Sequence, residues 1–142
     1  MIRRHPVLSV VTLVYLLIVG WITLSPQPAD ATQNRFIRDV IEAIHEFPPT
    51  SWVTYLGVEF TANIAMFVPM GILFTLLLGV RRWWLALLIG VAATCLIEGI
   101  QLFLPTRYSE WRDLVSNTLG TLIGIGLVGA AGALRAPEAA RE

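Results

Sequence analysis

The feature that most constrains this chain is a set of four apolar runs, each about as long as a bilayer is thick. They cover residues 6–24, 58–79, 83–104 and 114–134. A helix needs about 20 mostly apolar residues to cross the hydrocarbon core, and it satisfies its backbone polar groups internally. The runs therefore predict an all-α integral membrane protein, a four-transmembrane-helix bundle that forms one domain over residues 1–142.

The composition agrees with this class and excludes others. Hydrophobic residues make up 56% of the chain and charged residues 14%, and the mean hydropathy is +0.69, whereas a soluble domain is about 25% charged. A net charge of zero argues against an electrostatic nucleic-acid binder. Cys95, His5 and His45 are each isolated, so we expect no disulfide, no metal site and no cofactor.

The arginines predict the orientation of the bundle. Six of them would lie on one side of the membrane: Arg3, Arg4, Arg81, Arg82, Arg135 and Arg141. Cytoplasmic loops carry an excess of basic residues, so we expect both termini in the cytoplasm. The other side carries four arginines with acidic neighbours, which are Arg35, Arg38, Arg107 and Arg112.

The N-terminus has a second interpretation. Basic residues, an apolar stretch and then Ala29-Asp30-Ala31 are also the order of parts in a signal peptide, although the stretch exceeds the usual 7–15 residues. Cleavage there would leave three spans in their original orientation.

A segment between the first two spans, at about residues 34–47, has apolar side chains at helical spacing and charged side chains largely on the other helix face. They predict a short amphipathic extracytoplasmic helix, lying either in the outer interface or over the mouth of the bundle.

Polar residues recur at one depth of three predicted spans. Asn63, Glu98 and Asn117 each lie about 5–10 Å inside the extracytoplasmic end of their helix, at 1.5 Å per residue. Gln101 shares a helix face with Glu98, and Asp113 lies one turn before Asn117. Because ionisable groups in a membrane are costly and mark functional sites, this convergence predicts a polar pocket open to the outer leaflet.

Glu98 needs a partner in such a pocket, and Arg107 or Arg112 from the following loop would supply it. The alternative is that the neutral side chains only join helices to one another. That alternative applies to Asn63, Gln101, Ser116 and Asn117.

Small residues and a proline shape the second and fourth spans. Gly120 and Gly124 give small-xxx-small spacing, which favours close packing within the chain over a dimer contact. Pro69 removes one helical hydrogen bond, frees the carbonyl near Ala65 and predicts a kink.

Three ordered motifs carry a family resemblance. Residues 63–71 (NIAMFVPMG) are similar to an N-x-x-x-F-x-P-x-G segment, and residues 97–103 (IEGIQLF) to an I-E-x-x-Q segment. Arg107, followed by D-x-x-x-N-x-x-G-x-x-x-G over residues 113–124, resembles the closing motif. Together they resemble the VanZ-like family of bacterial membrane proteins. The signature positions that carry over are Asn63, Glu98, Gln101, Arg107, Asp113 and Asn117.

The resemblance implies a multi-pass protein of the bacterial cytoplasmic (inner) membrane, in a family whose founding member is associated with resistance to teicoplanin. We therefore expect a lipid, a lipid-linked cell-wall precursor or a lipoglycopeptide as partner. The predicted ligand-binding residues are Asn63, Glu98, Gln101, Arg107, Arg112, Asp113 and Asn117. One alternative is a membrane enzyme with Glu98 as acid or base, assisted by Asp113. Another is a structural partner of a membrane complex that uses the glycine face of the fourth span. The sequence also allows the protein to form an oligomer.

Overall fold

The computed structural model describes residues 6–25, 39, 42–44, 54–104 and 110–135. These contain four long helices in chain order: α1 (Pro6–Leu24), α2 (Tyr55–Leu78), α3 (Trp83–Gln101) and α4 (Trp111–Arg135). All four are long and apolar enough to cross a membrane, and no strand occurs within those ranges. The predicted all-α, four-span fold is confirmed.

Two helices begin earlier than their apolar runs, and in α4 this places charged residues inside the helix. α2 starts at Tyr55 and α4 at Trp111, each three residues before the predicted bound. The hydroxyl of Thr54 caps α2 by accepting a hydrogen bond of 3.2 Å from the N–H of Gly57, as Thr favours at helix starts. The earlier start of α4 makes Arg112 and Asp113 helical residues, while Glu59 already lies within the predicted second run.

Hydrogen bonds from side chains to neighbouring helices mark one end of the bundle. Gln101, at the end of α3, bonds to Thr23 at the end of α1, and Asn63 near the start of α2 bonds to Asp113 near the start of α4. We call this the polar end. The opposite end, here the arginine end, holds the turn between α2 and α3.

Glycine makes that turn possible. Gly79 has φ +85°, a backbone conformation that costs other residues about 1–3 kcal/mol. Its N–H donates to the carbonyl of Thr75 and so ends α2. A single 3₁₀ turn, Val80–Arg82, then leads into α3 and exposes Arg81 and Arg82.

α2 and α4 form the closest helix pair, and their contact is made by glycines. A Cβ atom on Gly124 would overlap the carbonyl oxygen of Val68 and lie 2.8 Å from the backbone nitrogen of Ile72. One on Gly71 would lie 2.9 Å from the backbone nitrogen of Ile125, and Gly120 meets α2 just as closely. The predicted role of Gly120 and Gly124 in packing within the chain is confirmed.

α1 packs at the edge of this pair. Its Tyr15 hydroxyl donates a hydrogen bond of 2.7 Å to the carbonyl oxygen of Met66, next to the Ala65 carbonyl that Pro69, which has no N–H, cannot bond. Val19 of α1 joins Phe67, Met70 and Ile97 in an apolar core cluster. α1 therefore belongs to the bundle through both polar and apolar contacts.

The interior of the bundle combines polar side chains with the apolar core cluster, whereas its outer surface is apolar, as contact with lipid favours. Buried hydroxyl and amide side chains include Thr75, Thr94, Ser116, Asn117 and Thr121. Large apolar side chains such as Leu13, Leu17, Leu88 and Leu96 face outward. Of the predicted amphipathic segment 34–47, only residue 39 and residues 42–44 are described, and they are helical; the rest of that prediction lies outside the described residues.

Candidate functional site

Asn63 and Asp113 form the first polar contact of the site. The side-chain nitrogen of Asn63 lies 2.8 Å from an oxygen of Asp113 and donates a hydrogen bond to it. Asn63 sits in the third turn of α2 and Asp113 in the first turn of α4. The bond joins the two helices just above their glycine contact, so the crossing of the helices sets its geometry.

Glu98 accepts a hydrogen bond from the backbone. Its Oε2 atom lies 3.0 Å from the N–H of Glu110, the residue that precedes α4. Only 9% of Glu98 is exposed. This bond ties the end of α3 to the start of α4 and places a buried carboxyl group beside Asp113.

Carboxyl groups dominate the electrostatics of the polar end. Asp113 lies within Coulombic range of Glu98, Glu59 and Glu110, which come from α3, α2 and the start of α4. Arg112 lines a small notch with Glu59, Glu110 and Asp113 and is exposed. The described part of the polar end therefore carries four acidic side chains, Glu59, Glu98, Glu110 and Asp113, and one basic side chain, Arg112.

Asn117 and Thr94 lie one helical turn deeper. The Asn117 side-chain nitrogen donates to the Thr94 hydroxyl at 2.9 Å, and the Thr121 hydroxyl donates to the Asn117 carbonyl at 3.0 Å. The spacing of polar residues in the sequence predicts one depth for Asn63, Glu98 and Asn117. The structure instead aligns Asn63 with Asp113, about 6 Å above Asn117 at 1.5 Å per residue.

Gln101 connects α3 with α1. Its side-chain nitrogen donates a hydrogen bond of 2.9 Å to the carbonyl oxygen of Thr23, which lies in the last turn of α1. Together with Asn63 and Asn117, it makes three amide side chains that bond to another helix. Each of the three amides therefore helps to join two helices.

Two of these amides keep an unused acceptor. The side-chain oxygens of Gln101 and Asn117 are buried and find no hydrogen-bond partner, although the residues themselves are only 4% and 3% exposed. Buried carbonyl oxygens are paired in the great majority of cases. Gln101 shares the α3 face of Glu98, and Asn117 shares the α4 face of Asp113, so both lie beside the carboxyl groups.

Asn63 and Asp113 bond to each other, whereas the predicted residues Glu98, Gln101 and Asn117 bond to Glu110, Thr23 and Thr94. The site encloses little space. The notch that opens between Leu56, Phe60 and the charged side chains has a volume of about 10 Å³, close to the least that one water molecule needs. Arg107, the first candidate partner of Glu98, lies outside the described residues. Arg112, the second candidate, lies beside Glu59 and Asp113 in the notch.

Neither the acidic residues nor the histidine and cysteine side chains of the described ranges form a group of three that could hold a metal ion.

Sequence analysis missed two parts of this site. Thr94 and Thr23 accept the bonds of Asn117 and Gln101, but isolated threonines in an apolar run give no pattern to find. The position of Thr94 four residues before Glu98, on the same helix face, was the one available signal.

The comparison with protein-family models matches residues 12–132 to the model described as VanZ/LLP1, which is well over half of the chain. The chain belongs to the VanZ/LLP1 family. No curated protein matches the chain, and no solved structure matches it. The VanZ/LLP1 match includes α2 and α3, most of α1 and α4, and every polar-end contact described above, so these contacts belong to the family's domain.

Proposed function

We propose that this VanZ/LLP1 protein binds an amphiphile at the polar end and thereby modulates the sensitivity of the cell envelope to antibiotics such as teicoplanin. The amphiphile is a lipid, a lipid-linked wall precursor or a lipidated glycopeptide. The observation that carries the proposal is the Asp113 carboxyl group, which lies among Glu59, Glu98 and Glu110 at the membrane boundary of three helices.

The charges at this end support a head group as the ligand. Ionisable side chains in a membrane protein are costly and tend to mark binding sites, and here they gather at one end. Arg112 offers charge-assisted hydrogen bonds to a phosphate or carboxylate. The carboxyl groups of Glu59 and Asp113 offer bonds to an ammonium group, so a head group over the notch would contact both signs of charge.

The membrane topology supports an outer-leaflet site. Arg81 and Arg82 are exposed at the arginine end, and half-exposed Trp83 and Trp84 follow them. Basic residues favour the cytoplasmic side, and tryptophan favours either interface. In the proposed orientation both termini are cytoplasmic, and the polar end faces the extracytoplasmic leaflet of the bacterial inner membrane.

The direct test is the teicoplanin susceptibility of a sensitive Gram-positive host that expresses the wild type or Glu98→Gln. Glutamine keeps the size of the side chain and an oxygen that can accept from the N–H of Glu110, but it removes the charge. Arg81→Gln at the opposite end is the matched charge control, and immunoblots of the membrane fraction equalise the amounts.

We expect the wild type and Arg81→Gln to protect the host and Glu98→Gln to protect it much less. Equal protection by Glu98→Gln would show that the mechanism does not require the carboxyl charge. If the wild type gives no protection, the antibiotic part of the proposal is wrong, and lipids that copurify with the protein would identify the ligand class instead.

A membrane enzyme is the second candidate, favoured by the proximity of the Glu98 and Asp113 carboxyl groups. Two carboxyl groups in different surroundings can divide acid and base roles between them. This function requires a chemically altered lipid in membranes that express the wild type. Mass spectrometry of total lipids would reveal the product, and its persistence with Glu98→Gln would contradict the assigned role.

A further inference from the structure

The arginine end of the bundle carries positive charge that no carboxyl group of the described residues offsets. Arg81 and Arg82 are exposed in the 3₁₀ turn between α2 and α3. The described carboxyl groups belong to the polar end or to the segment between the first two spans, and they are Asp39, Glu42, Glu59, Glu98, Glu110 and Asp113. The described part of the arginine end therefore attracts anions.

Arg81 begins an exposed face that continues along α3. Trp84 follows it by three residues and Leu88 by seven, a spacing that places the three side chains on one side of the turn and helix. Trp84 is 54% exposed and Leu88 57% exposed. The face therefore presents a guanidinium group, then an indole ring, then an aliphatic side chain.

The depth of each group matches the layers of a bilayer. Trp84 lies about 5 Å inward of Arg81 at 1.5–2.0 Å per residue, and the head-group layer on each side of the hydrocarbon core is about 5–8 Å deep. With Arg81 at the level of the phosphates, Trp84 reaches the boundary that tryptophan favours. Leu88 then lies against the acyl chains.

The charge of this face selects among membrane lipids. A guanidinium group binds phosphate through charge-assisted hydrogen bonds, and basic clusters at the ends of transmembrane helices bind anionic head groups. A zwitterionic phospholipid also carries an ammonium group, which the two arginines repel. A soluble phosphate ion would make no use of the indole and aliphatic side chains below.

We propose that the face formed by Arg81, Trp84 and Leu88 binds an anionic phospholipid from the leaflet at the arginine end. Arg81 donates hydrogen bonds to the phosphate, Arg82 adds to the positive potential, and one acyl chain lies along Trp84 and Leu88. In the proposed orientation this is the cytoplasmic leaflet. The lipid site is separate from the polar end and does not depend on the function proposed there.

The test is native mass spectrometry of the full chain, reconstituted in nanodiscs of equal phosphatidylethanolamine and phosphatidylglycerol and then transferred to a mild detergent. The variant is Arg81→Gln/Arg82→Gln. The matched control is Arg35→Gln/Arg38→Gln, which removes the same charge from the segment between the first two spans. Because the protein is reconstituted from detergent, a change of insertion topology in cells does not affect the comparison.

We expect the wild type and the control to retain phosphatidylglycerol in preference to phosphatidylethanolamine. The variant should retain about tenfold less phosphatidylglycerol, since each arginine near an anionic surface strengthens the association severalfold. Equal retention by the variant, or no preference in the wild type, would overturn the inference. Loss of the bound lipid on addition of inorganic phosphate would overturn it in favour of a soluble anion.

Tryptophan fluorescence gives a second readout that keeps both arginines. Trp21, Trp52 and Trp111 are replaced by Phe, so that only Trp83 and Trp84 emit. Nanodiscs of phosphatidylcholine then contain the same small fraction of either brominated phosphatidylglycerol or brominated phosphatidylcholine. We expect stronger quenching by the anionic lipid, and we expect high salt to abolish the difference, because salt screens charges. Equal quenching by the two lipids at low salt would contradict the site.

Discussion

Single polar residues hold this bundle together because its apolar surfaces already face lipid. Between helices in a bilayer there is little hydrophobic driving force, so close packing and hydrogen bonds decide the arrangement. The bond from Asn117 to Thr94 is buried, and the other polar atom of the Asn117 side chain has no partner. The hydrogen bonding of the buried Asn117 side chain therefore depends on the hydroxyl group of Thr94.

We predict that Thr94→Val lowers the free energy of unfolding by about 1 kcal/mol, since valine keeps the shape but leaves the Asn117 N–H groups without an acceptor. Steric trapping in bicelles would measure it. Thr118→Val is the control, because the Thr118 hydroxyl bonds within its own helix. Equal effects of the two substitutions would contradict a stabilising bond between α3 and α4.

Among the helices, the pair α2 and α4 sets the positions of the others. Gly71 and Gly124 face each other at the crossing, and neither leaves room for a Cβ atom. This contact lies inward of the bond between Asn63 and Asp113, so a shift at the crossing would also move the site. The glycine face of the fourth span is thus used within the chain at Gly120 and Gly124, which removes those two residues from a partner interface.

We predict that Gly124→Ala destabilises the protein by about 2 kcal/mol, because the methyl group would collide with backbone atoms of α2 that cannot rotate away. Thermal unfolding in detergent would show it as a lower midpoint. Gly129→Ala is the control, since a Cβ there meets no atom within 4 Å and alanine favours the helix by up to about 1 kcal/mol. A similar loss in both variants would mean that the crossing tolerates a wider separation.

At the scale of the whole molecule, the two ends of the bundle differ in charge. The arginine end exposes Arg81 and Arg82, while the polar end gathers carboxyl groups and carries exposed Trp111. Such an asymmetry orients a multi-pass protein during insertion. The proposed outer-leaflet site depends on this orientation, because the reverse topology would present the carboxyl groups to the cytoplasm.

We predict that a cysteine at position 110 reacts with a membrane-impermeant thiol reagent in intact cells, whereas one at position 81 reacts only after permeabilisation. Both substitutions, Glu110→Cys and Arg81→Cys, are made in a Cys95→Ala background, since Cys95 is exposed on α3. The Cys95→Ala chain alone is the control for background labelling. Labelling of position 81 in intact cells would reverse the proposed orientation.

The sequence by itself determined the four spans, the accumulation of polar residues toward one end and the family, because span length, charge and motif spacing are local properties of the chain. Only the tertiary structure decided which polar groups meet. Asn63 pairs with Asp113, and Asn117 pairs with Thr94 one turn deeper, because the glycine crossing of α2 and α4 sets how far each helix slides and rotates. The local pattern of small residues cannot tell a tight helix contact, as at Gly71, from a face left open to lipid.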